Sequence, residues 1–454
     1  MILRVLLTAP PFAEADPWGK IIQEQVRVCP KQALYLLAAV LEKHGQQVTL
    51  IDPLDFESHF RSPELIAQSV SGIDLLGISI DASAWPRARR LLINLEDLSR
   101  RPVTVLGGPH ASGLDGYLAR TTAVDYLIRG EGEKSFPLLL DFLQAGKDPA
   151  LVPGITFRRG EELIQTPLGP LLTPEELAEL PLPKFELMPK GYYDLLPIET
   201  SRGCFYACIF CSIGFQRNWR GIPPGQVADR ISRLAPYLDR TTQKCIFIVD
   251  DCFTADHPRL IQIADQLSGL DSRLVFMARI TDLVVPGMLE AIARMPVEVM
   301  EMGVESGYEE GLQRVGKKLL LEQVKQAGEL LEKSGIRRQA RFSFILGLPW
   351  EKKREIFRTL EFAFKLTHRL QSRLIVNFLT VFPGSLIWRK RRDWGIQITE
   401  QDYDQERWWL DQDIFRKCHP RLNIPTDLEH ILTYIKVLMN YFPDIRHDGF
   451  LKWL

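Results

Sequence analysis

Short, continuous apolar runs alternate with longer stretches in which apolar residues recur at helical spacing. Ile2–Thr8, ending at Pro10-Pro11, reads as a buried parallel strand. Ala33–His44 reads as a helix stopped by Gly45, and Gln47–Ile51 as a second strand. Leu75–Ile80 is a third strand, followed by a helix near Pro86–Arg100. Val103–Leu106 is a fourth strand, ending in Gly107-Gly-Pro-His-Ala-Ser112. Tyr126–Ile128 is a fifth, ending in Gly130-Glu-Gly-Glu133 and a helix through Leu143. Strands alternating with helices predict a doubly wound parallel sheet, whose ligand edge lies at the carboxyl ends of its strands.

Ile155–Arg158 and Leu163–Thr166 flank Arg159-Gly-Glu-Glu162 as a small hairpin, followed by a Pro-rich stretch through Pro181-Leu-Pro183. Alternation then resumes. Strands are predicted at Leu196–Thr200, Cys245–Val249, Leu274–Ala278, Val297–Met302, Arg341–Leu346 and Leu374–Leu379. Helices are predicted near 225–237, 257–268, 286–294, 321–334 and 351–366, and an amphipathic one at Leu432–Tyr441. The fold class is therefore α/β. A Rossmann-like doubly wound domain spans about 1–150 and a hairpin and linker 151–195. A partial (β/α)6 barrel spans 196–383, with a small, mainly helical region over 384–454.

Composition narrows the function classes. The chain has 454 residues, 46% hydrophobic and 25% charged, with a formal net charge of −1. No basic field exists for nucleic acid or an anionic membrane. The run Arg389-Lys-Arg-Arg392 reads as the solvated face of a helix end. No stretch approaches the length of an apolar spanning helix, and the apolar N-terminal run is too short for a signal-peptide core. Seven Cys with only three clustered do not make a secreted disulfide framework and fit a reducing cytosol. Cys245 and Cys252 read as buried structural thiols, and His44 as a surface His.

Those three are Cys204, Cys208 and Cys211, in Ser201-Arg-Gly-Cys-Phe-Tyr-Ala-Cys-Ile-Phe-Cys211. A soft thiolate set selects an iron–sulfur cluster or zinc. Structural zinc takes four closed ligands, and no fourth Cys stands close by. A four-iron cluster takes one Cys per iron, so three leave one iron open.

This C-x3-C-x2-C spacing, with Phe210 before the last Cys, resembles the signature of the radical S-adenosylmethionine (SAM) enzymes. The resemblance implies a 4Fe–4S cluster on Cys204, Cys208 and Cys211. It also implies SAM on the open iron, cleaved to a 5′-deoxyadenosyl radical. It places Asp250 and Glu305 near the SAM amino group and ribose, together with Ser306. Arg341 is placed as a fork for the SAM carboxylate, and Gly347 on the adenine side within Phe344-Ile-Leu-Gly-Leu-Pro-x-Glu351. A helix cap or salt bridge stays open for each acidic residue, more so for Asp251 and Glu351, whose positions suit helix N-terminal turns.

The first 150 residues resemble the cobalamin-binding domain found in front of many radical SAM enzymes. The resemblance rests on Pro11 after the first strand, Gly77-Ile-Ser79, Gly107, Gly108, His110 and Ser112, and Gly130, Glu131 and Gly132. A generic Rossmann-like domain whose glycines serve only turns is the alternative. Cobalamin mutases carry Asp-x-His-x-x-Gly after the first strand; residues 8–20 here contain no His, so no cobalt ligand is expected from that loop.

Together these imply a cobalamin-dependent radical SAM enzyme, foremost a C-methyltransferase acting on an unactivated carbon of a small molecule or peptide. Its methyl carrier would be methylcobalamin, and a flavodoxin- or ferredoxin-type electron donor is implied. Rearrangement or oxidative cyclisation without methyl transfer stays open. So do a radical SAM enzyme whose first domain has lost cobalamin, and a non-enzymatic iron–sulfur or zinc sensor or scaffold. No RNA-binding module is evident, and the last seventy or so residues, rich in Trp, are expected on the substrate side.

Overall fold

The computed structural model describes residues 2–11, 29–213 and 218–447. It divides into two compact units. The first comprises residues up to Tyr193 together with Thr399–Trp409; the second comprises Asp194–Ile398 and the residues from Leu410 onward.

In the first unit, β1 (Arg4–Thr8), β2 (Gln47–Ile51), β3 (Leu75–Ser79), β4 (Val103–Gly107) and β5 (Tyr126–Ile128) are parallel. β6 (Ile155–Arg159) and β7 (Glu162–Gln165) extend the sheet antiparallel, giving the order β2-β1-β3-β4-β5-β6-β7. The predicted hairpin is thus part of this sheet rather than a separate linker. Every residue of β3 is buried, as a central parallel strand requires. The order reverses between β1 and β3, the switch point where such sheets open a ligand crevice. Helices at Gln32–Lys43, Trp85–Glu96 and Pro109–Thr121 make the crossovers out of β1, β3 and β4, Phe56–Phe60 and Pro63–Ser69 the one out of β2, and Gly132–Gln144 leads from β5 to β6. The helix at Pro109–Thr121 was missed in the sequence, where its first turn reads as a Gly-rich loop.

A buried carboxylate anchors the end of this unit. Asp52 accepts hydrogen bonds from the Tyr35 hydroxyl, from the Tyr193 hydroxyl at 2.7 Å and from the Leu54 amide at 2.8 Å. Thr399–Trp409 completes the unit. The Asp404 carboxylate accepts from Trp85 Nε1 and from the Tyr117 hydroxyl, each at 2.6 Å. Trp408 Nε1 donates to the Ala82 carbonyl at 3.0 Å. The C-terminal region expected wholly on the substrate side therefore gives this stretch to the first unit.

In the second unit, β8 (Leu195–Ile198) opens a parallel sheet. β9 (Ser201–Arg202) and β10 (Arg220–Gly221) form a separate antiparallel pair. The parallel sheet continues with β11 (Cys245–Ile248), β12 (Arg273–Ala278), β13 (Val297–Glu305), β14 (Ala340–Leu346), β15 (Arg373–Phe378) and β16 (Arg446–His447). Its order is β16-β15-β14-β13-β12-β11-β8. The six predicted barrel strands are all present, each followed by its helix or helices. The two-residue β16 was not foreseen, because two residues carry no periodicity.

Gly108 has φ +98°, and a Cβ there would lie 2.5 Å from the Ile80 carbonyl oxygen. Gly108→Ala combines a left-handed backbone with a backbone clash, and is expected to cost the first unit about 1–3 kcal/mol in urea unfolding.

Candidate active site

The Cys loop leaves the sheet just after β8 and is tied down at both ends and in the middle. At its entry, Asp250 accepts from the Thr200 amide, the Thr200 hydroxyl and the Ser201 hydroxyl, each at 2.6 Å. Gly203 N–H donates to Asp251 Oδ2 at 2.8 Å. The β9/β10 ladder closes the base of the loop, and Arg259 clasps both sides, donating to the Ile222 carbonyl at 2.8 Å and the Thr200 carbonyl at 2.7 Å. Midway, Ile209 N–H donates to the Val315 carbonyl at 3.1 Å, and its own carbonyl accepts from Ile387 N–H at 2.9 Å.

The loop forms one side of a cleft of about 770 Å³, counted to its open mouth. Cys204, Cys208, Cys211 and Phe210 line it, with Asp251, Cys252, Arg279, Glu301, Glu305, Lys317 and Ser343 opposite or beside them. Burial pushes the Cys204 and Cys208 thiols up; Arg279 and Lys317 pull both the other way. Among the described residues, no three or more His, Cys, Asp or Glu side chains gather as a single metal ion requires. A cluster differs in taking one thiolate per iron.

A register shift between Gly303 and Glu305, where β13 meets β14, re-aims the end of the strand. Glu305 has φ +74° and pairs with Lys317 Nζ at 2.5 Å, both side chains nearly buried. A Cβ on Gly303 would lie 2.0 Å from Glu305 Oε1 and 2.3 Å from Lys317 Nζ, so only glycine leaves room for this pair.

The structure brings Phe210 and Glu305 to the three cysteines, and sets other predicted residues elsewhere. Asp250 is fully buried, and its oxygens are taken by the loop entry, so Asp251 is the acid that reaches the cleft. Ser306 is buried, and among the described residues its hydroxyl has no hydrogen-bond partner. Arg341 lies on β14 and donates to Glu301 Oε2 at 3.4 Å. Gly347, just past β14, lies against the ring of His419. Glu351 is no helix cap: it is fully buried and accepts from the Leu348 amide at 3.0 Å and the Tyr308 hydroxyl at 2.9 Å. Cys252 reaches the cleft although almost wholly buried, its thiol 3.7 Å from the Thr254 hydroxyl, while Cys245 is buried in β11. Sequence reasoning missed Lys317 and Arg279. Arg279 follows a barrel strand directly, which was its one signal; Lys317 stands after a helix and had none.

The predicted cobalamin residues gather at the carboxyl edge of the first sheet. Ser79 ends β3, and its carbonyl accepts from Lys31 Nζ at 3.4 Å. The Pro11 carbonyl accepts from Arg87 at 3.2 Å. The Ser112 hydroxyl accepts from Gly130 N–H at 3.1 Å, and Glu131 accepts from the Leu172 amide at 2.7 Å. Gly132 begins the next helix. His110 is buried between Trp85 and Tyr403 with neither ring nitrogen partnered among the described residues, and burial pushes its pKa down to about 3. The first-strand loop that lacks a His runs largely through residues outside the described set.

The Radical SAM superfamily matches residues 198–363, and the B12 binding domain matches residues 21–140. The chain thus carries a B12-binding domain followed by a radical SAM domain. It is 28% identical over 399 residues to an uncharacterised methyltransferase of Pyrococcus horikoshii, covering 85% of this chain and 83% of that one. It is 26% identical over 328 residues to the anaerobic magnesium-protoporphyrin IX monomethyl ester cyclase of Synechocystis, covering 69% of this chain and 63% of the cyclase. Its fold is that of the cobalamin-dependent SAM radical enzyme OxsB, with a TM-score of 0.66 and 19% identity over 94% of this chain and 57% of that one.

The chain is therefore an enzyme of the radical SAM type, and its two domains imply a 4Fe–4S cluster, SAM and cobalamin. The residues present fit these groups. Three thiols and two cations share one cleft. In the first unit, a Cβ on Gly107 would meet nothing within 4 Å, leaving open space beside the glycine turn. Among the described residues, no helix is long and apolar enough to cross a membrane.

Burial raises the Glu351 carboxyl from 4.5 to about 7. The fold prefers the neutral acid, so its contribution to stability is full below about pH 4.5 and is lost as pH rises through about 7. Between those values the wild type should lose on the order of 3 kcal/mol in urea unfolding from this group. Glu351→Gln, always neutral and still an acceptor, should flatten that part of the profile.

Proposed function

We propose that this chain is a cobalamin-dependent radical SAM methyltransferase acting on an unactivated carbon of a small molecule or peptide. The observation that carries the reading is the cleft in which three thiols face an adjacent ammonium and carboxylate. Cys204, Cys208 and Cys211 would hold the cluster through three of its irons. Lys317 and Glu305 present the charge complement of an α-amino acid, so Lys317 would receive the SAM carboxylate and Glu305 its ammonium. Phe210 lines the cleft beside the cysteines. Ser79, Gly107, Gly108, His110 and Ser112 would line the cobalamin site. When bound, cluster and SAM together supply a carbon-centred radical, and cobalamin supplies the methyl carrier.

Methyltransferase-named relatives support methyl transfer, the Pyrococcus protein matching over most of both chains. The similarity to the cyclase favours a second reading, in which a ring is closed or rearranged with no methyl group gained. The proposed setting is the cytoplasm, with a flavodoxin- or ferredoxin-type protein as electron donor. All seven cysteines lie outside any disulfide, consistent with a reducing compartment.

Anaerobically reconstituted protein, given dithionite and SAM, should release 5′-deoxyadenosine. Cys208→Ala should lower that release at least about a hundredfold, since the cluster is the only electron route to SAM. Methyl-labelled SAM then separates the two readings. Label in the product supports methyl transfer, and turnover without label selects cyclisation.

A further inference from the structure

Two cations face the cysteines, and they differ in what neutralises them. Lys317 is held by Glu305 in an ion pair. Arg279 is 6% exposed and lines the same cleft, yet among the described residues no carboxylate stands within ion-pair distance of it. A buried guanidinium without a counter-ion is costly, and a cleft that keeps one has an anion to receive.

Arg279 is also fixed in place. It follows β12 directly, and its amide donates to the Thr254 hydroxyl at 3.2 Å. Its guanidinium donates to the Lys317 carbonyl and, through Nε, to the Thr281 hydroxyl at 3.3 Å. Its Cζ lies 3.4 Å from the centre of the Tyr206 ring, a close cation–π stack. Tyr206 stands between Cys204 and Cys208 in the loop. Arg279 is therefore stacked on a residue of the Cys loop itself. Iron–sulfur potentials respond to net charge, and Arg279 brings a fixed positive charge into the cleft of the cysteines.

We propose that Arg279 sets the reduction potential of the cluster, as its uncompensated counter-charge. This rests on the assignment of Cys204, Cys208 and Cys211 as cluster ligands. The couple takes up one electron, which adds negative charge to the cleft; the guanidinium stabilises that reduced form and so raises the potential.

The test is a mediated potentiometric titration of reconstituted protein followed by electron paramagnetic resonance. It is run without SAM, so that only the protein's own charges act on the cluster. Arg279→Gln removes the charge and should lower the reduced-to-oxidised ratio about tenfold at the wild-type midpoint, which is about 59 mV for one electron. Arg279→Lys keeps the charge but loses the planar stack, and should stay within about threefold of wild type. An unchanged ratio in Arg279→Gln at full iron and sulfide content overturns the proposal. If that variant does not take up iron, a tenfold fall in Arg279→Lys overturns the charge assignment. Wild-type protein that binds no four-iron cluster fails the ligand assignment instead, a separate result visible in iron and sulfide content before any titration.

Discussion

The second unit is organised around one buried carboxylate. Asp250 ends a barrel strand with no exposure to solvent, and burial pushes its pKa up while three donors from Thr200 and Ser201 pull it back. The donors are two hydroxyls and one amide, all at the point where the Cys loop leaves the neighbouring strand. Left without that acceptor, each would be a buried polar group costing about 1–3 kcal/mol. The carboxylate thus sets the direction in which the loop departs, and Asp251, Arg259 and the short β9/β10 ladder hold the course it sets. Where the thiols sit follows from this pin rather than from any contact among the thiols themselves.

The fold was legible because its strands are short apolar runs and its helices are periodic. β2 and β5 end where the sequence places them, and the barrel strands fall within a few residues of expectation. What escaped had no local signal. β16 is too short to show a pattern, and the helix at Pro109–Thr121 hides behind glycines. The hairpin of β6 and β7 was legible as a hairpin, but its attachment to β5 is a long-range pairing.

The site was legible by residue type and less so by position. Cys204, Cys208, Cys211 and Phe210 share a cleft because they share a loop. Glu305 joins them through a bulge that sequence pattern does not announce. Asp250 and Asp251 are neighbours, one spent on the loop entry and the other lining the cleft, so reading both as strand-end acids could not say which faces it. Lys317 and Arg279 carry the positive charge of the site from two elements far apart in sequence, and only the folded chain sets them side by side.

Thr399–Trp409 has a consequence for how the protein is made. The first sheet is complete once residue 165 has been synthesised, yet the helix face around Trp85 and Tyr117 waits for Asp404, more than two hundred residues later. On the ribosome, that face emerges with its indole and phenol lacking their acceptor, and the unit that carries the B12-binding domain is finished only after the barrel has been translated. Neither unit is one continuous stretch of chain, so a single cut at the boundary near residue 193 separates the first unit from a piece of itself.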